Sequence, residues 1–217
     1  MRKAEGTTRS VDWHCLGKEY VYGTRDLGAM ADLGSGSSFF GRLFSRRGSW
    51  PTGDGLLEKS YSIASDAIPK INQILRLDYS GQPRFVVAES GMEAPAATSG
   101  DVITLNRKWF REHPDDDGCI VHELVHVVMH CPRMDDSNWW LIEGIGDYVR
   151  DKLGYTMPWS RPVRGDPRSG YQATAHFLLF VEKRFGIDYI RQVASTLSDS
   201  GDLPRDIDSK LQFYMSG

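Results

Sequence analysis

Three observations predict an α+β fold for this 217-residue chain. Two short β-rich runs, RFVVA (84–88) and DVITLN (101–106), follow a first helical stripe and are separated by the turn-forming GMEAPAATSG. From Asn106 onward the apolar spacing is helical almost to the end. Strands early and helices late argue for segregated elements rather than an alternating β-α-β pattern.

Residues 1–55 are poorly periodic and rich in Gly and Ser, with one possible short strand at EYVY, so they are expected to form a peripheral segment beside a main domain over 56–217. The stretch Leu56 to Leu77 puts Leu57, Tyr61, Ala64, Ile68, Ile71 and Leu75 on one helical stripe, and Pro69 gives it a possible kink or break. HPDDDG offers Asp115, Asp116 and Asp117 as caps for a helix running to about His130, which Pro132 then stops. SNWWLIEGIGDYVRDKLG begins with a Ser or Asn cap and ends at Gly154 as the next helix. Beyond the Pro/Gly loop WSRPVRGDPRSG come GYQATAHFLLFVEKRFG and IDYIRQVASTL, two more helices, and the weakly helical LPRDIDSKLQFYM. The 156–170 loop reads either as a lid or as a simple connection.

The formal net charge is −3. That balance supplies no basic surplus for nucleic acid or anionic lipid, and no apolar run approaches the roughly 20 residues of a membrane-spanning helix. MRKAEGTTRS has no apolar run behind it and does not read as a signal peptide, which leaves a cytosolic protein or one whose export signal has been removed. Cys119 and Cys131 flank one predicted helix with about 18 Å of rise between them, too far for a disulfide. They and Cys15 are expected to be reduced.

The chemistry concentrates in CIVHELVHVVMH (119–130), which holds three of the six histidines. His122-Glu123-Leu124-Val125-His126 is an HExxH motif. Its histidines stand one turn apart on one helix face and can aim at a single metal ion at about 2.0–2.1 Å, with Glu123 beside it as a base. The bland alternative is a core helix whose polar groups are satisfied by neighbours. His130 lies about 12 Å along the axis from His122 and cannot share that ion, so it is expected to be a packing or helix-end residue. A catalytic zinc takes three protein ligands and keeps a fourth position for water.

Glu143 in WLIEGIGDY is the expected third ligand, and Asp147, four residues on, is placed to accept the free N–H of His122 and fix its tautomer. The pattern Gly144-Ile145-Gly146-Asp147 also allows the reverse, with Asp147 as ligand. A solvated acidic face is disfavoured, because Trp139, Trp140, Leu141, Ile142 and Ile145 surround both carboxylates with apolar surface. A metzincin is excluded: Met129 stands where its glycine would be and Pro132 where its third histidine would be.

In three segments, KWFREHPDDDGCIVHELVHVVMH, WWLIEGIGDYVRDKLG and GYQATAHFLLFVEKRFG, the chain resembles the basic secretory protein family, over about 56–197. The resemblance implies a gluzincin-type, zincin-like metallopeptidase domain: a small mixed sheet whose edge strand, DVITLN, lies over the HExxH helix, followed by a mostly helical C-terminal part. It implies His122, His126 and Glu143 as Zn²⁺ ligands, Glu123 as general base, peptides or proteins as substrates, and secretion. Tyr171 is the expected donor to the oxyanion and His176 the second choice, against a plain reading of Tyr171 as a core aromatic. Arg150 and Tyr148 read as surface or packing residues. The competing function is a non-catalytic zinc-binding module using the same cleft, against which the intact Glu123 argues.

Overall fold

The computed structural model describes residues 54–217. The EYVY strand, Cys15 and nearly all of the N-terminal segment lie outside them. The elements are α1 (Gly55–Leu75), β1 (Arg84–Ala88), β2 (Ala96–Ser99), β3 (Val102–Asn106), α2 (Arg107–Glu112), α3 (Asp117–Met129), α4 (Trp139–Lys152), α5 (Tyr171–Phe185), α6 (Ile187–Ser200) and α7 (Ile207–Ser216). The fold is therefore α+β, with a small mixed sheet ahead of a mostly helical remainder. None of the described helices is long and apolar enough to cross a membrane.

The sheet departs from expectation in one consequential way. Its order is β1-β3-β2, with β1 parallel and β2 antiparallel to β3. DVITLN is thus the central strand, and the edge belongs to Ala96–Ser99, inside the stretch read as a turn. AATS has three small residues and one β-branched residue, too weak a run to register as a strand. It is held by its pairing with β3, across which Thr98 faces Ile103 and Ser99 faces Val102. Gly100, at φ 57°, and Asp101 close this hairpin, at a position where a left-handed backbone suits glycine. Asn106 then holds the preceding loop, donating to the carbonyls of Met92 (2.9 Å) and Ala94 (3.0 Å), while its Oδ1 caps α2.

Helix α1 runs unbroken through Pro69. Its buried stripe is rotated from the expected one: Ser60, Ile63, Ala64, Ala67, Ile71 and Leu75 are buried, while Leu57, Tyr61 and Ile68 pack partly exposed at the rim. Asp54 caps it, accepting from the Leu56 amide at 3.1 Å and pairing with Arg107.

Helix α3 lies at the centre, packed between α1, α4 and β2. Every residue from Gly118 to Met129 is buried except His126. Asp116 stands at its N-cap without making a side-chain cap bond; its carboxylate instead accepts from the Trp109 indole (3.1 Å) and the Cys119 thiol (2.9 Å). Cys119 and Cys131 are free thiols, as expected. His130 closes the helix at φ 44°, its amide donating to the His126 carbonyl, so it is a helix-end residue. Asn138 precedes α4, but its fully buried side chain bonds the carbonyls of Arg133 (2.9 Å) and Gly201 (2.7 Å). Helix α4 packs closely on α5 because Gly144 has no Cβ; one would lie 2.1 Å from Thr174 Cγ2.

Candidate metal centre

Helices α3 and α4 bring the candidate ligands together inside the core. His122 Nδ1 lies 2.7 Å from Asp147 Oδ1, which turns its other nitrogen, Nε2, toward His126 and Glu143. His122 Nε2 is 3.0 Å from Glu143 Oε2 and 3.0 Å from His126 Nε2, and His126 Nε2 is 3.6 Å from Glu143 Oε2. Glu143 Oε2 therefore lies beside both histidines, and Asp147 lies on the far side of His122. His122, Glu143 and Asp147 are almost wholly buried.

The three atoms fit a metal ion. Donors bound tetrahedrally to zinc at about 2.0–2.1 Å stand about 3.3 Å apart, close to the spacings found here. A circle through the three has a radius of about 1.9 Å. That radius is just under the usual zinc–donor distance, so the three atoms could all hold one ion.

The electrostatics point the same way. Burial disfavours the His122 imidazolium, but hydrogen bonds to Asp147 and Glu143 outweigh it and push the pKa up to about 10. Burial likewise opposes ionisation of Glu143, yet the charge of His126 and the bond to His122 lower its pKa to about 2. The site calls for positive charge amid buried carboxylates, as a cation-binding site does.

Glu123 is also buried, and its Oε2 accepts from Thr98 Oγ1 at 2.7 Å. Thr98 belongs to edge strand β2, so the strand that sequence reasoning missed positions the expected base. Glu123, His126 and Glu143 line one cleft together with Thr98, Cys131 and Met134.

Tyr171 lies on the other side of His122. Its ring stacks there, centroids 6.2 Å apart and planes 25° apart, and it lines a second cavity with Asp147 and Arg150 rather than the Glu123 cleft. His176 is bonded to Tyr214 Oη at 2.8 Å and lines neither cavity. Tyr148 packs fully buried, as expected. Arg150, expected at the surface or in packing, is buried and forms an ion pair with Asp147 Oδ1 at 2.8 Å. Its spacing of three from Asp147 on an apolar helix carried that signal in the sequence.

The fold and site together define an α+β domain whose central helix and its successor bring His122, His126 and Glu143 close enough to hold a metal ion. The chain belongs to the basic secretory protein family: the family model described as "Peptidase of plants and bacteria" matches residues 83–202. That stretch contains β1 to α6 and every residue of the triad. No curated protein and no solved structure matches the chain.

Proposed function

We propose that this protein is a zinc-dependent peptidase of the zincin-like, gluzincin type that hydrolyses peptide bonds in peptide or protein substrates. The observation that carries the reading is the spacing of His122 Nε2, His126 Nε2 and Glu143 Oε2, three donors at zinc-compatible separations, of which His122 and Glu143 are buried and His126 is partly exposed. His122, His126 and Glu143 would hold the zinc, which would supply Lewis acidity for water activation and carbonyl polarisation. Glu123 would accept the proton of the attacking water and return it to the leaving amine, with the Thr98 hydroxyl holding its carboxylate in place. Asp147 keeps the proton of His122 on Nδ1, freeing Nε2 as a ligand. Secretion, implied by the family resemblance, belongs to the same proposal and is tested by fractionating producing cells.

The oxyanion assignment of Tyr171 rests on its nearness to His122 alone. One experiment tests these roles: zinc content and casein hydrolysis of the parent, Glu123→Gln and Tyr171→Phe. Glu123→Gln is expected to hold zinc and lose about 10²–10⁴ in rate; equal cleavage by parent and variant overturns the mechanism. Zinc retained by both, with cleavage by neither, marks a binding module. Tyr171→Phe is expected to lose about 10²-fold in kcat with zinc retained. Unchanged kcat leaves Tyr171 as an aromatic cover on His122.

A further inference from the structure

We infer that Arg150 is a positioning residue for the metal centre, acting through Asp147 on His122. The inference rests on the zinc reading above and adds a residue to it. Asp147 Oδ1 receives His122 Nδ1 at 2.7 Å and Arg150 Nη2 at 2.8 Å, so one carboxylate oxygen is shared between the ligand and a buried cation. Asp147 Oδ2 has no hydrogen-bond partner among the described residues. Asp147 is therefore held through this single oxygen by both the imidazole and Arg150.

Arg150 is itself fixed at three points. Its guanidinium bonds Asp147 and, more weakly, the Ser160 carbonyl at 3.4 Å. Its stem occupies space that Gly118 leaves open on α3, where an added Cβ would lie 2.9 Å from Arg150 Cδ and 2.3 Å from the Tyr155 carbonyl oxygen. A long side chain ordered in this way carries its rotamer entropy cost in the folded protein whether or not metal is bound. It then presents Asp147 in one orientation. The guanidinium also places a buried positive charge directly beside the Asp147 carboxylate. Ser160 lies in the loop between α4 and α5, so that loop joins the metal centre through Arg150.

A residue that only packs would change stability and leave metal affinity alone. A positioning residue changes affinity, and loss of such an outer partner weakens metal binding about 10–100-fold. The test measures the zinc dissociation constant by competition with a chromophoric chelator, alongside the melting temperature of the metal-free protein, for the parent, Arg150→Met and Arg150→Lys. Arg150→Met is expected to bind zinc at least about 10-fold more weakly, and Arg150→Lys to recover most of the loss because it keeps the charge. Arg150→Met within twofold of the parent overturns the inference. If Arg150→Met does not fold, the His122 Nδ1 proton of the zinc-loaded protein decides by NMR. A resonance far downfield in the parent that moves in Arg150→Lys supports the role; one unchanged in Arg150→Lys overturns it. A parent that binds no zinc overturns the functional reading itself, an outcome distinct from both.

Discussion

Gly146 shows how closely residue-level sterics govern the site. A Cβ there would meet the His122 ring at 2.6, 2.7 and 2.9 Å, and the ring cannot retreat cheaply while Asp147 grips Nδ1. Two effects compete in Gly146→Ala. Alanine favours the helix by about 1 kcal/mol over glycine, whereas overpacking costs about 1–3 kcal/mol. Stability is expected to change little, and zinc affinity to fall at least about 10-fold because the displaced atoms belong to a proposed ligand. Zinc titration checks this; affinity equal to the parent's would show that the helices part to make room. HExxH and ExxxD were legible in the sequence because helical spacing alone puts their side chains on shared faces. The Gly146 contact was not, since it depends on how closely α4 approaches α3.

Among the elements, α1 is anchored by Asp54, which both caps the helix and pairs with Arg107, itself bonded to Glu89. The Arg107 hydrogen bond is the main reason the Asp54 carboxyl titrates below its usual range; burial opposes it and the Leu56 amide assists. A carboxylate with a depressed folded-state pKa adds stability above its unfolded value of about 3.9, and that contribution fades as the pH falls through the folded value. Asp54→Asn keeps a cap acceptor and loses the charge. Its stability deficit, measured by urea denaturation, is expected to be full at pH 6 and to shrink below about pH 4. Asp54→Ala is expected to cost about 1 kcal/mol more at every pH, because the cap is lost as well. A deficit for Asp54→Asn that does not vary with pH would assign the pair no role. The helices were legible from period and punctuation, whereas β2 was not: three small residues and one threonine become a strand only through their pairing with β3.

For the molecule as a whole, a metal bound only by the folded state contributes stability by mass action, about 2.7 kcal/mol at a free concentration 100-fold above Kd. For a chain of this size each kcal/mol moves Tm by about 2–4 °C. Chelation is expected to lower Tm by about 5–10 °C, and added zinc to restore it, read by calorimetry. A Tm indifferent to both would contradict a folded-state metal site.

The family match begins at residue 83, downstream of α1. Yet α1 packs on α3, β1 and α6, and its Ile63, Ala67, Ile71 and Leu75 belong to the same core as Leu124 and Val125 of the HExxH helix. Helix α1 is consequently part of the core that the matched stretch is built around. A version trimmed to that boundary would leave the histidine-bearing helix without its backing and open oily surface to solvent, a hazard for anyone excising the matched stretch on the strength of homology alone.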